Sequence, residues 1–273
     1  MGIIRIERVR AGGPEIACRR AGSGPPMVLV HGAVADGRSW TPQLESLSDA
    51  YAVVAWDEPG AGGSDDVPDG FGLADYADCL ARVIGWAGSS PAHVVGHSWG
   101  STVALELYRR HPDRVASLVL AGAYAGWKGS LPASEVAARR GAVRRMLDGG
   151  PDAFALTVPG LFAEGPPPRY RSLLAAMAAD VRAHSVHVCV EIMADTDLSD
   201  LLPHVAVPTL LLWGKQDARS PLAVAHEFER SVPGASLVIL EGCGHMANLE
   251  RPADFDSAVR AFCRQVDDGS ADR

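Results

Sequence analysis

The sequence predicts an α/β domain, in which helices flank a mostly parallel, eight-stranded sheet and a helical segment interrupts the chain after the sixth strand. Short apolar runs alternate with segments of helical periodicity, a pattern that is typical of β-α-β units. The alternation stops near residue 124 and resumes about eighty residues later. The chain of 273 residues is long enough for one such domain with an insertion.

Six strands are predicted before the insertion. The first two, "IIRIERV" and "EIACRRAG", form a hairpin around Gly12-Gly13-Pro14. The next four are continuous apolar runs, as expected of strands that are buried on both faces. They occupy residues 26–32, 52–57, 92–97 and 115–123. Apolar residues at helical spacing predict helices over 39–49, 73–88 and 101–113.

Residues 124–204 have helical periodicity and no strand pattern, so we expect a helical lid there and a core domain of residues 1–123 and 205–273. The predicted lid helices cover 132–149, 151–163, 168–183 and 185–195. Strands at 207–214 and 236–242 and helices at 221–232 and 252–266 complete the core. The polar tail "DDGSADR" is predicted to be disordered. Such a lid would cover the carboxyl ends of the strands, where open parallel sheets bind ligands.

Composition limits the partners. A net charge of −8, with no dense basic stretch, argues against nucleic acid. The sequence has no run of eighteen apolar residues and no signal-peptide pattern, so we expect no membrane association. The five scattered cysteines suggest reduced thiols in a cytoplasmic protein. We expect a monomer or a homodimer that acts on a small molecule.

A serine lies between two glycines at residues 96–100, in Gly-His-Ser-Trp-Gly, between a predicted strand and a predicted helix. In a sharp strand-to-helix turn, this spacing of glycines exposes the serine hydroxyl at the sheet edge. A serine hydroxyl is a weak nucleophile, so it needs a base, an acid that orients the base, and donors for the oxyanion. We therefore treat Ser98 as a candidate nucleophile.

The base and the acid are sought at the same sheet edge. Of nine histidines, His245 directly follows the last predicted strand and lies in a glycine-containing loop. Asp217 follows the seventh strand, and residues 115–130 after the sixth strand contain no Asp or Glu. The order Ser98, Asp217, His245 is the serine–acid–histidine order of one type of catalytic triad. We expect the side chain of His97 to point away from that of Ser98.

The oxyanion donors are expected to be the backbone N–H groups of Trp99, which follows the nucleophile, and of Ala33 in "HGAVADGRSW". We expect His31 to stabilise this loop by hydrogen bonding. An apolar substrate pocket is predicted beside these groups, although ordinary packing explains the lid aromatics equally well. Its candidate residues are Val34, Trp127, Phe154, Leu161, Phe162 and Met246.

No metal or cofactor is expected. The glycine-rich stretch "DEPGAGGSD" lacks the Lys-Ser/Thr ending of a phosphate-binding loop and is not followed directly by a helix. His184 and His187 are spaced like two ligands on a helix, but no acidic or cysteine ligand has an obvious position beside them.

Five stretches together resemble the α/β-hydrolase superfamily: "LVHGAVADGRSW", "WDEPGAGGSD", "GHSWGS", "VPTLLLWGKQDARSP" and "GCGHMANLERPADF". The nucleophile position holds serine and not aspartate, unlike haloalkane dehalogenases and epoxide hydrolases. The stretches "GHMANLERP" and "DEPGAGGSD" are most similar to a branch of carboxylesterases, enol-lactone hydrolases and cofactor-free haloperoxidase-like enzymes. The resemblance implies an α/β-hydrolase fold and a serine hydrolase that cleaves a carboxylic ester or lactone of a small, largely apolar substrate.

Two alternatives stay open. The stretch "GHSWGSTVALELYRRHPDRV" also resembles proline iminopeptidases, but that family carries His-Gly-Gly-Pro-Gly where this chain has residues 31–35, "HGAVA". It also usually has Gln-Arg-Gly where this chain has Glu58-Pro59-Gly60. The second alternative is a binding protein of the same fold without catalysis. The presence of all three triad residue types argues against it.

Overall fold

A computed structural model of the chain describes residues 3–10, 13–88, 91–148 and 159–271. Its strands are β1 (Arg5–Val9), β2 (Ile16–Ala21), β3 (Pro26–Val30), β4 (Ala52–Trp56), β5 (Ala92–His97), β6 (Val115–Ala121), β7 (Thr209–Gly214) and β8 (Ser236–Leu240). They form one sheet in the order β1-β2-β4-β3-β5-β6-β7-β8. Strand β2 is antiparallel to both of its neighbours, and every other neighbouring pair is parallel. The predicted mostly parallel, eight-stranded sheet is confirmed.

The helices cover both faces of this sheet. They are α1 (Thr41–Leu47), α2 (Leu73–Ala87), α3 (Trp99–Arg110), α4 (Ala133–Asp148), α5 (Arg171–Ala179), α6 (Ala183–Asp195), α7 (Leu222–Ser231), α8 (Ala247–Glu250) and α9 (Pro252–Ala271). Helices α1 and α9 pack on one face and α2, α3 and α7 on the other.

The two faces have separate apolar cores because successive residues of a strand point to opposite sides. In β3, Val28 and Val30 belong to the core under α2 and α3, whereas Met27 and Leu29 belong to the core under α1 and α9. All four side chains are fully buried. Burial on both faces explains why the central strands are continuous apolar runs rather than alternating ones.

The C-terminal helix is longer than predicted. Helix α9 continues to Ala271, so the predicted disorder of the tail is wrong for residues 267–271. Asp267 explains part of the extension, because its Oδ1 lies 3.0 Å from Nε2 of the buried His93 on β5. The short helix α8 was also not predicted.

Between β6 and β7, the described residues 124–148 and 159–204 form helices and turns and contain no strand. The predicted helix over 151–163 lies largely outside the described residues, and its described end at 159–163 consists of turns and bends. The rest of the segment packs on the sheet domain. The guanidinium of Arg182 donates to the carbonyls of Gly62 and Ser64 in the sheet domain, and within the segment the Trp127 N–H donates to the Met193 carbonyl at 2.7 Å.

In the ranges that the structure covers, no single helix combines the length and the apolar character of a membrane span. One bent pair, Pro168–Ala179 with Ala183–Asp195, meets the criteria of length and composition only when the two parts are taken together.

Candidate active site

Ser98 occupies a sharp turn between β5 and α3. Its φ of 53° and ψ of −116° are rare for a residue with a side chain, and the Ser98 N–H donates to the Ala121 carbonyl at 2.9 Å. A Cβ atom on Gly96 would lie 2.7 Å from the Gly100 oxygen, and one on Gly100 would lie 2.2 Å from the Val30 oxygen. Both glycines are therefore required for the close approach of strand and helix at this turn.

Asp217 and His245 form a buried hydrogen-bonded pair. Asp217 Oδ2 lies 2.8 Å from His245 Nδ1, and Asp217 Oδ1 accepts from the N–H groups of Arg219 and Ser220 at 2.8 Å each. Because an ionised carboxylate only accepts hydrogen bonds, it favours the tautomer of His245 that carries its proton on Nδ1. The lone pair on Nε2 then remains available to accept a proton.

One cavity connects this pair to the serine. Ser98, which is half-buried, and His245 both line a cavity of about 110 Å³. Gly122 lies directly beside His245 and Asp217. With a φ of +49°, a Cβ atom there would lie 2.9 Å from His245 Nδ1 and 3.1 Å from Asp217 Oδ2. The fold thus brings the three residues together from the ends of β5, β7 and β8.

The predicted oxyanion donors border the same cavity. Trp99 is the first residue of α3, so its backbone N–H has no partner within the helix. Ala33 lines the cavity in the loop after β3, and a Cβ atom on the preceding Gly32 would lie 3.3 Å from Ser98 Cβ. The loop therefore passes directly beside the serine.

His31 stabilises this loop, as predicted. Its Nδ1 donates to the Gly32 carbonyl at 2.9 Å, and its Nε2 accepts from the Glu58 N–H at 3.1 Å. Both ring nitrogens are thus used by the backbone, which leaves neither free for proton transfer.

The model of the alpha/beta hydrolase fold family matches residues 25–252. The chain belongs to the α/β-hydrolase family. A RutD protein of Pseudomonas syringae, which is named as a carbamate hydrolase, is 30% identical over 258 residues, with 90% of this chain and 96% of that protein covered.

Two esterases are also similar to this chain, one compared by sequence and one by structure. The pimeloyl-[acyl-carrier protein] methyl ester esterase of Aliivibrio salmonicida is 27% identical over 263 residues, with 90% and 95% coverage. An esterase from Exiguobacterium antarcticum superposes with a TM-score of 0.85 at 25% identity, over 97% of this chain and all of that one. Since the family model and these relatives are those of hydrolases and esterases, the chain is an enzyme, a hydrolase of the α/β fold.

Sequence reasoning missed a second histidine at the site of this hydrolase. His97 Nε2 lies 2.9 Å from the His245 carbonyl oxygen, and the two rings lie 4.7 Å apart. Burial, reinforced by the neighbouring His245, lowers the pKa of His97 to about 3, so its ring is neutral and Nε2–H donates. The sequence predicts only that the His97 side chain points away from that of Ser98 and assigns it no role, yet His97 holds the loop that carries His245.

A buried carboxyl group beneath Trp99 was also missed. Trp99 Nε1–H donates to Glu58 Oε2, and both side chains are buried. Burial raises the pKa of Glu58 to about 7. Tyr76 packs edge-on against the indole at 5.3 Å between ring centroids. These contacts fix the first residue of α3, but nothing in "DEPGAGGSD" indicates them because they depend on distant parts of the chain.

Five of the six predicted pocket residues line the cavity with Ser98 and His245: Val34, Trp127, Leu161, Phe162 and Met246. The sixth, Phe154, lies outside the described residues. Further apolar side chains from α4, α5 and α6 were not predicted, among them Met146, Met177 and Met193. In the described part of the chain, no group of three or more His, Cys, Asp or Glu side chains could hold a metal ion.

Proposed function

We propose that this hydrolase cleaves a carboxylic ester or lactone of a small, largely apolar substrate through an acyl-enzyme on Ser98. The observation that carries the proposal is the 2.8 Å contact between Asp217 and His245 Nδ1, together with the position of His245 and Ser98 on one apolar cavity. In a serine hydrolase, the acid must contact the base, and the base and the nucleophile must face the same substrate pocket.

In the proposed reaction, His245 Nε2 accepts the Ser98 proton as Oγ attacks the carbonyl carbon. The N–H groups of Ala33 and Trp99 donate to the resulting oxyanion, and the Asp217 carboxylate stabilises the imidazolium. His245 then gives its proton to the departing alkoxide, which leaves as an alcohol. Water attacks the acyl-enzyme with His245 as base, and the acid product and free Ser98 are released.

The substrate class is supported by the cavity and by the relatives. A small cavity with walls of Val, Leu, Phe, Trp and Met side chains favours a short, apolar acyl group. The name of one relative specifies a methyl ester, and structural neighbours are called esterases. We propose that residues 124–204 act as the lid over a core of residues 1–123 and 205–273, because α4, α5 and α6 supply one wall of the cavity.

A paired rate assay tests this function. p-Nitrophenyl butyrate and prolyl p-nitroanilide are offered to the same enzyme preparation, with the Ser98→Ala variant as control. We expect turnover of the ester, none of the anilide, and loss of turnover in Ser98→Ala. Release from the anilide alone would identify a proline iminopeptidase-like enzyme. Hydrolysis of neither would refute the ester proposal and favour a binding role, which a ligand screen would follow.

We also propose a cellular compartment and an oligomeric state for the enzyme. All five cysteines are free and buried, which supports a protein that works in the reducing cytoplasm. We propose a monomer or homodimer, which light scattering measures directly; a larger assembly would contradict it.

A further inference from the structure

Arg219 lies two residues after Asp217 and lines the cavity. Its main chain is fixed on both sides. The N–H donates to Asp217 Oδ1 at 2.8 Å, and the carbonyl accepts from the Tyr124 hydroxyl and, at 2.6 Å, from Arg139 Nη2. The starting point of the side chain is thus rigidly coupled to the acid of the proposed triad.

The guanidinium of Arg219 has no hydrogen bond or ion pair with any residue in the described ranges, although the residue is half-buried. The nearby acids are already engaged. Asp217 accepts from His245 and from two backbone amides. Glu135 Oε1 accepts from Arg139. Among the described residues, the cavity wall therefore includes an arginine whose guanidinium has no hydrogen-bonded or ion-paired partner.

The neighbouring Arg139, in contrast to Arg219, has several partners for its guanidinium. Its guanidinium donates to Glu135, to the Tyr124 hydroxyl at 2.9 Å and to the Arg219 carbonyl, and it lies over the rings of Tyr124 and Trp127. Burial lowers the pKa of Arg219, but a guanidinium stays charged at neutral pH. A partly desolvated charge without a protein partner binds an anion more strongly than an exposed one does.

We propose that Arg219 is a specificity residue that binds a carboxylate of the substrate, so that the preferred ester carries a free carboxylate at one end and is apolar near the scissile bond. This rests on the proposed function and narrows its substrate class. A planar guanidinium pairs with a carboxylate through two parallel N–H···O bonds. The rest of the cavity wall supplies the apolar contacts.

Two matched pairs of esters test the proposal. Monomethyl glutarate and methyl pentanoate place a carboxylate or a methyl group on the acyl side. 3-Acetoxypropanoate and propyl acetate do the same on the alcohol side. For each pair, acid release gives kcat/KM for wild type, Arg219→Met and Arg219→Lys, with Arg169→Met as control, since Arg169 is an exposed arginine that does not line the cavity.

In at least one pair, we expect the wild type to prefer the carboxylate ester. Arg219→Met should lower the ratio of carboxylate to neutral kcat/KM by about 10- to 100-fold. Arg219→Lys should retain part of the preference, and Arg169→Met all of it. An equal ratio in wild type and Arg219→Met for both pairs would overturn the proposal. Thermal unfolding verifies the fold of each variant, and Arg219→Gln replaces any Met variant that does not fold.

A failure of the proposed function can be told apart from a failure of this inference. If the wild type hydrolyses none of the four esters, the function is wrong, and calorimetry measures their binding to Ser98→Ala with and without Arg219→Met. Tighter binding of a carboxylate ester that Arg219→Met removes would still support the role of Arg219. Equal binding of the charged and neutral compounds would overturn it.

Discussion

The hydrolase contains two clusters of serine, histidine and aspartate, at opposite ends of the same sheet. The first joins Asp217 to His245 at the carboxyl ends of the strands, with Ser98 on the same cavity. The second lies at the other end. There, His93 Nδ1 is 2.7 Å from Ser117 Oγ, and its Nε2 is 3.0 Å from Asp267 Oδ1.

By hydrogen bonds alone, the second cluster resembles a triad more closely, yet it is built for packing. His93 and Ser117 are paired residues of β5 and β6 in regular strands, and both are buried. Ser98, in contrast, sits in a strained turn beside a cavity and beside the amide that begins α3. The comparison shows that residue types and mutual contacts do not define a catalytic site. Access for a substrate and donors for an oxyanion are also needed.

The largest difference is expected for the two serines. Ser98→Ala should lower kcat for p-nitrophenyl butyrate by about 10⁶-fold, because no nucleophile remains. Ser117→Ala should leave kcat within about twofold and reduce the free energy of unfolding by about 1 kcal/mol, from the lost hydrogen bond to His93. Steady-state kinetics and urea unfolding measure both. Equal losses of activity would contradict the distinction between the clusters.

The two aspartates should differ in the same direction. Asp217→Asn should lower kcat by about 10³- to 10⁴-fold, because the amide no longer favours the His245 tautomer with its proton on Nδ1. Asp267→Asn removes a contact of α9 with His93 and should leave kcat unchanged within about twofold. If Asp267→Asn impaired catalysis as strongly as Asp217→Asn, the second cluster would have to be coupled to the chemistry.

One buried histidine lies at each end of the sheet, His97 beside the candidate active site and His93 in the second cluster. Both are expected to affect stability, but only His97 is expected to affect activity. Burial lowers the pKa of both His93 and His97, the latter to about 3 from an ordinary value of 6.5. The unfolded chain therefore binds more protons below pH 6.5, and the free energy of unfolding falls as the solution is acidified. Between pH 6.5 and 5, His97 should lower the free energy of unfolding of the wild type by about 2 kcal/mol, and this decrease should be absent in His97→Gln.

His93→Gln should weaken the acid sensitivity in the same direction. Only His97→Gln should lower kcat, by about tenfold, since it releases the loop that positions His245. Urea unfolding from pH 5 to 8, combined with kinetics at pH 8, distinguishes the two. A loss of activity in His93→Gln, or none in His97→Gln, would contradict the positioning role.

Glu58 is expected to affect activity least. Its contribution to the free energy of unfolding depends on pH in the opposite direction to those of His93 and His97. Because burial raises its pKa from 4.5 to about 7, the unfolded state releases a proton that the folded state retains between these values. The free energy of unfolding attributable to Glu58 thus falls as pH rises from 4.5 to 7. Glu58→Gln, which keeps an acceptor for Trp99, should be more stable than wild type at pH 8 by about 3 kcal/mol. The difference should shrink toward pH 5, and a constant difference would show that the Glu58 carboxyl is not held protonated.

Local patterns predicted the strands, the turn at Ser98 and the positions of Asp217 and His245. Each of these depends on short-range signals: apolar runs, glycines beside the serine, and polar residues directly after strands. Parallel topology then brings the strand ends to one edge, so candidates distant in sequence could be placed near one another.

The missed features depend on contacts between distant segments. His97 and Glu58 contact His245 and Trp99, at separations of 148 and 41 residues. The polar sequence at the end of α9 predicts disorder, yet Asp267 is paired with His93, 174 residues away. Within the described ranges the guanidinium of Arg219 has no hydrogen-bonded or ion-paired partner because the nearby acids Asp217 and Glu135 bind other groups, and no local sequence pattern identifies this.

A covalent label on the nucleophile tests the proposed mechanism most directly. The enzyme is treated with a fluorophosphonate, which phosphonylates an activated serine, and intact and tryptic masses are measured. We expect one label per chain, on the peptide that contains Ser98, loss of esterase activity in step with labelling, and no label on Ser117. Full labelling of another residue, or an active enzyme whose Ser98 is never modified, would contradict the acyl-enzyme mechanism.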